Sequence, residues 1–232
     1  MTFSILTFDQ KTGVFAGAAA TGSLCVGGWV LRGDIESGLV ASQGTAPSTF
    51  WRDEMLRGMF ENESAPQLIE RITDLDTGKE FRQLSAVDRK GNSAAFTGAL
   101  SIDYCGHLLE QGTAIAGNML SGPAVLDAMQ KTNLTEVRDP AERMLRVLDA
   151  AKDAGGDFRG LRSAALLVLK PNAPPLDLRI DCADNPIAAL WDLWRETQKS
   201  PYQDWLFEVP VLEDRMRKPS QPFTKRRISL TS

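Results

Sequence analysis

The sequence predicts an α+β fold in which two β-sheets pack face to face with helices outside. Two observations carry this. Strand-like and helix-like segments arrive in blocks, strands first, then helices, strands, helices, strands and a last helix, not in the regular βαβ alternation of a wound parallel sheet. The run Ala16 to Ala20 is built of small residues, which lets a neighbouring layer approach closely.

The elements follow in order. Thr2 to Thr7 is an apolar run of β-formers, DQKTG (9–13) is turn chemistry, and Val14 to Ala20 completes a hairpin. Val26 to Leu31 and GLVASQ (38–43) read as two further strands separated by the polar RGDIES. Trp51, Met55 and Met59 recur every fourth residue with Leu56 and Phe60 beside them, a helical face. Ser64 and Gln67 match a capping box ahead of the stripe Ala65, Leu68, Ile69 and Ile72. Phe81 to Asp88 and Ser93 to Thr97 form a second hairpin around RKGN. Thr113 to Gly117 reads as a strand and Pro123 to Gln130 as a short helix. Asp139, Pro140 and Glu142 mark a helix start, and Asn185 with Pro186 marks another. Between them Ser163 to Leu169 and Leu176 to Ile180 are strand-like, with Pro171, Pro174 and Pro175 marking the loop between.

Composition narrows the chemistry. The 232 residues are 43% hydrophobic and 24% charged with a net charge of -4, an ordinary globular balance. The single histidine excludes a multi-histidine metal site, and three cysteines are one short of a four-cysteine zinc site. Neither GxxxxGK[ST] nor GxGxxG occurs. Cys25, Cys105 and Cys182 have no CxxC spacing and read as reduced thiols of a cytoplasmic protein. No apolar stretch approaches the ~20 residues that span a bilayer, and no secretory signal is recognisable at the start. The last eighteen residues, from Arg215, hold six basic residues and no acidic one; with those six set apart from the net -4, residues 1–214 carry -10. One domain is expected over 1–198, followed by an extension over 199–232 whose basic tail straps across the body or a neighbouring copy in a homo-oligomer.

Thr2 is the most informative residue. Removal of an initiator methionine before a small residue leaves a free α-amine beside a hydroxyl, at the start of a core strand. That amine has an unperturbed pKa of roughly 7.7–8.0 and is a base tethered to its own nucleophile. Such chemistry needs no histidine. A Met-Thr start is also ordinary, and the structural reading of Thr2 as a strand residue stands beside the catalytic one.

Several segments together resemble a mainly bacterial family, the domain of unknown function 1028 family. They are TFSI (2–5), GLVASQ (38–43), RQLSAVDRKGNSAAFTG (82–98), GH (106–107), GNML (117–120), GGDFRG (155–160), SAALLVL (163–169) and LDLRID (176–181). The resemblance implies a four-layer αββα sandwich of the N-terminal nucleophile (Ntn) hydrolase type. By position it implies Thr2 as nucleophile and Ser42, Gln43, Gly44 and Thr45 as the loop that holds the oxyanion and substrate. Thr21 falls near the place of an acid and Arg32 near that of a lysine in proteasome-like members. Both depart from that pattern, since threonine carries no charge and arginine is a poor proton acceptor. Arg162 stands where family members commonly show glutamine.

Other residues carry two readings each. Asn118 is an oxyanion donor or a turn asparagine, and His107 is a general base or ligand contact or a structural histidine. Cys25 and Cys105 are nucleophiles or buried thiols. Three functions compete. The first is a cofactor-free and metal-free amidohydrolase acting through Thr2 on a small amide or peptide-like substrate. The second is a non-catalytic Ntn-like domain that binds a small molecule or serves an assembly. A nucleic-acid binder directed by the tail ranks last, so no nucleic-acid or membrane partner is expected.

Overall fold

The computed structural model describes residues 2–102, 104–155 and 160–219. Four layers stack in the order helices, sheet, sheet, helices. The larger sheet has six antiparallel strands in the order β10-β9-β2-β1-β8-β7: β1 (Thr2–Asp9), β2 (Val14–Thr21), β7 (Gly106–Glu110), β8 (Thr113–Asn118), β9 (Ser163–Lys170) and β10 (Ala173–Ile180). The smaller sheet runs β3-β4-β5-β6, from β3 (Leu31–Asp34), β4 (Gly38–Gly44), β5 (Arg82–Asp88) and β6 (Ser93–Thr97). This is the four-layer αββα sandwich that the resemblance implies.

Strand alternation distributes the core. Phe3 and Ile5 of β1 face outward beneath α4 (Ala124–Asn133), α5 (Pro140–Asp153) and α6 (Pro186–Thr197), in a cluster with Leu126, Met144, Leu145 and Ile187. Leu6 faces inward, meeting Leu31, Leu39 and Val87 of the smaller sheet. On the far side of that sheet, Val40 and Leu84 pack against Trp51, Met55 and Met59 of α2 (Thr49–Phe60) and Leu68 of α3 (Ala65–Asp74). Because β1 and β2 are covered on both faces, they read as continuous apolar runs even though their pairing is antiparallel. The layers do come close at the small-residue run: a Cβ on Gly17 would lie 3.1 Å from Leu31 and 3.2 Å from Leu39.

Caps set the helix starts where the sequence places them. Asp139 accepts from the Glu142 N–H at 2.9 Å, and the Ser64–Gln67 capping box is formed.

Two expectations need correction, and one strand went unassigned. Val26 to Leu31 is not a strand: Val26–Trp29 is a short helix, α1, and β3 starts only at Leu31. Cys25 takes a left-handed φ of 60° and its carbonyl accepts from Gly28 and Trp29, so the chain turns tightly. Gly27 makes room for the turn, since a Cβ there would lie 2.8 Å from Arg179. Pro174 and Pro175 lie within β10, not in a loop; β10 is an edge strand, irregular in register between Ala173 and Leu176, where missing N–H donors are tolerated. Gly106–Glu110, unassigned from sequence, is the opposite edge strand.

Past α6 the chain forms α7 (Tyr202–Leu206) and returns to the body, where Glu213 N–H donates to the Pro171 carbonyl and Arg215 pairs with Glu36 at 2.7 Å. Residues 220–232 of the basic tail lie outside the described residues, as does Met1. No described helix is long and apolar enough to cross a membrane.

Candidate active site

Two polar rows face each other at one end of the inner layer. Across the larger sheet, Ser163, Thr21, Thr2 and Asn118 stand side by side in register. Across the smaller sheet, Gln43, Gln83 and Thr97 do the same. Thr2 belongs to the row because it shares the inward parity of Ser4 and Leu6 on β1, opposite to Phe3 and Ile5.

Beside Thr2 opens a cavity of about 300 Å3, lined by Thr2, Thr21, Ser23, Leu24, Val26, Trp29, Val30, Gln43, Gly44, Thr45 and Pro47. The Thr2 side chain donates its hydroxyl proton to Thr21 Oγ1 at 3.1 Å. The Thr2 residue is 8% exposed and borders this opening. Gly44 ends β4 with a φ of +124°, and a Cβ there would lie 2.6 Å from the Phe81 carbonyl oxygen. Only glycine lets the strand turn away at that point. Among the described residues, none of those lining the cavity is Asp, Glu, Lys, Arg or His.

A chain of hydrogen bonds runs from the cavity through the middle of the sandwich. Gln43 accepts from Ser4 Oγ at 2.7 Å, and its Nε2 donates to Gln83 Oε1 at 3.1 Å with a long contact of 3.4 Å to the Thr2 carbonyl. Asn118 Nδ2 also donates to Gln83 Oε1, at 2.8 Å. Gln83 Nε2 in turn faces the Gly117 carbonyl at 2.8 Å, Thr97 Oγ1 at 3.0 Å and the Gly106 carbonyl at 3.3 Å. Thr97 Oγ1 lies 2.9 Å from His107 Nδ1. Since Thr97 accepts from Gln83, its own proton is free to go to His107, whose Nδ1 then accepts. Desolvation of the ring lowers the His107 pKa from its ordinary 6.5.

The structure therefore gathers Thr2, Thr21, Gln43, Gly44 and Thr45 around one cavity. It places the other sequence candidates elsewhere. Arg32 pairs in register with Val40 and so lies on the face turned toward α2, opposite to Gln43; its Nη1 serves the carbonyls of Gly27 and Leu31. Desolvation is the main cause that lowers its pKa. Ser42 shares that outer face and donates to the Ser48 carbonyl at the start of α2. Asn118 is buried beside Thr2 but spends its amide on Gln83, and His107 sits on the edge strand β7; neither lines the cavity. Cys25 and Cys105 are half-buried outside the lining, the latter donating to the Ser101 carbonyl. The Arg162 N–H donates to the Thr21 carbonyl at 2.8 Å, while its guanidinium pairs with Asp184.

Gln83 was missed from sequence. Its signal was a glutamine that shares the inward parity of Val87 on a buried strand. No group of three or more His, Cys, Asp or Glu side chains among the described residues could hold a metal ion.

A protein of known crystal structure from Silicibacter pomeroyi is 46% identical, with a TM-score of 0.88 over 94% of this chain and 98% of that one. The eukaryotic HslV of Trypanosoma brucei is 12% identical (TM-score 0.43, 72% of this chain and 99% of that one). Anbu, the ancestral beta-subunit of Yersinia bercovieri, is 11% identical (TM-score 0.36, 87% and 97%). At such scores neither of these two bears on the activity of this chain. No curated protein matches the sequence. A family model matches residues 2–190, and with the Silicibacter relative it shows that the chain belongs to the Family of unknown function (DUF1028).

Proposed function

We propose that the protein is an amidohydrolase of the Ntn type in which Thr2, freed as the first residue by loss of Met1, attacks a small amide or peptide-like bond. One observation supports this above others. The Thr2 hydroxyl opens on a cavity in which no described lining side chain is an acid or a base, so the nearest available base is its own α-amine. The amine takes the hydroxyl proton as Oγ1 attacks the carbonyl carbon. The resulting oxyanion is assigned to backbone N–H groups of the Gly44–Thr45 turn. Collapse expels the amine product, which takes the proton, and leaves an ester on Thr2 that water then cleaves. Thr21 holds the hydroxyl in place in this reading. The reaction invokes neither metal nor organic cofactor.

The test starts with the intact mass of the protein purified at native expression level. Loss of Met1 followed by a mass adduct on Thr2 after treatment with lactone or activated-amide probes supports the mechanism. Retention of Met1 leaves Thr2 nitrogen as an amide and removes the base.

A second reading is favoured by the same lack of an acid or lysine among the described residues that line the cavity: an Ntn-like domain that binds a small molecule without cleaving it. Ligand binding by a protein that keeps Met1 would select it. In either reading we place the protein in the cytoplasm, consistent with three free cysteines. We also propose a homo-oligomer, with 1–198 as its body and 199–232 as the extension that contacts a neighbour.

A further inference from the structure

The cavity beside Thr2 also carries information about what enters it. One side of its inner wall is apolar, with Val26 1% and Val30 5% exposed, facing the buried polar groups of Thr2, Thr21 and Gln43. At its mouth Trp29 and Leu24, each 54% exposed, present large apolar surfaces to solvent. Exposed apolar groups clustered at an opening are characteristic of ligand sites. The remaining lining groups are hydroxyls of Thr21, Ser23 and Thr45 and the Gln43 amide, all able to hydrogen-bond without carrying charge.

Three described arginines on elements that border the cavity are engaged elsewhere. Arg52 is 6% exposed, and its Nη1 donates to the carbonyls of Gly28 and Trp29 at 2.8 and 3.0 Å, tying down the end of α1 from behind. Arg32 serves Gly27 and Leu31, and Arg162 serves Asp184. A carboxylate or ammonium carried into this cavity would lose its hydration and meet no opposite charge on a described lining side chain, and the Thr2 α-amine serves as a base only in its neutral form, so the exchange is heavily unfavourable.

We infer that the cavity selects a neutral ligand: a small amide whose acyl side chain is uncharged and apolar, seated on Val26, Val30 and Trp29 with its carbonyl toward Thr2 and Gly44. This rests on the reading of Thr2 as the reacting residue for the direction of the carbonyl, and on the lining alone for the choice of side chain.

The experiment separates the two. Three amides of equal length, ending in a methyl, a carboxylate or an ammonium group, are titrated calorimetrically into full-length Thr2→Ala protein, which cannot turn them over. At a pH above the ~8 of a free α-amine, the methyl-ended amide is expected to bind at least about tenfold more tightly than either charged one, because neither charge then finds a partner among the described lining side chains. Trp29→Ala should lose that binding and Trp29→Phe should restore most of it. Equal or tighter binding of a charged amide, or no binding of any of the three, overturns the inference. The unsubstituted protein is then tested for hydrolysis of the same amides. Neutral-selective binding with no turnover leaves the ligand class standing and removes the hydrolase reading.

Discussion

Replacing Gln83 with methionine removes the hub of the inter-sheet hydrogen bonds while nearly preserving volume. Gln83 is fully buried, and its Oε1 accepts from both Gln43 Nε2 and Asn118 Nδ2. The methionine leaves both amides without that acceptor, and Gln43 Nε2 keeps only the long 3.4 Å contact to the Thr2 carbonyl. An orphaned buried donor costs about 1–3 kcal/mol, so the two together cost about 2–6 kcal/mol. That is a large share of the ~5–15 kcal/mol that holds a typical domain folded. At about 2–4 °C per kcal/mol for a domain of this size, the melting temperature should fall on the order of 10 °C. Differential scanning calorimetry measures it, with Gln10→Met in the exposed turn between β1 and β2 as the comparison. A fall of less than about 2 °C with unchanged cooperativity would show that the two amides find other partners, and the hub argument would fail.

Other outcomes follow from the same geometry. Asp88 is 3% exposed and accepts from the N–H groups of Ala65, Lys90 and Asn92 and from the Asn92 side chain, so Asp88→Ala should cost roughly 3 kcal/mol or more. An unchanged urea midpoint would contradict that. The lone His107 gives a single imidazole NMR titration, expected with its midpoint below 6.5 because its neutral ring is desolvated in the fold. The unfolded chain then binds the proton first, so this contribution to stability is present above pH 6.5 and lost as pH falls from there toward the folded midpoint. A midpoint at or above 6.5 refutes it. Cys182, exposed beside the Arg162 guanidinium, should be the first thiol alkylated by iodoacetamide, ahead of half-buried Cys25 and Cys105; peptide mapping after brief labelling decides the order. Deleting the segment from Arg215 onward should lower the solution mass per particle if the tail straps neighbours together, and light scattering that finds no change removes that role.

The layers were legible because each rests on local chemistry. The Ser64–Gln67 box, the Asp139 and Asn185 caps and the proline at the first turn of α5 and α6 are short-range signals that tertiary contacts reinforce. The sequence also placed Thr2, Thr21 and the Gln43–Thr45 turn among the site candidates, and these line one cavity. What it concealed depends on facing and packing. Arg32 and Ser42 lie close to Gln43 along the chain, yet strand parity turns them to the other side of the sheet. The VGGWVL run reads as strand by composition, but Gly27 serves a turn pressed against Arg179 and Ala165. Gln83 could not be assigned a partner from sequence because its hydrogen bonds join residues of β4, β6, β7 and β8.

The amide row between the sheets has a consequence for how the strands find one another. Side chains along a strand alternate faces, so a slip of one residue in β4 or β5 would carry Gln43 or Gln83 out of the row and under α2 and α3, among Val40, Leu84 and Trp51. The apolar positions alone penalise such a slip weakly, because Leu39, Val40, Leu84 and Val87 are interchangeable greasy groups buried on both faces of the sheet. The glutamines are not interchangeable with them: out of step, they would be buried where no amide awaits them. The row thus works as a proofreading key for strand registry, rejecting misaligned sandwiches that hydrophobic burial by itself would accept.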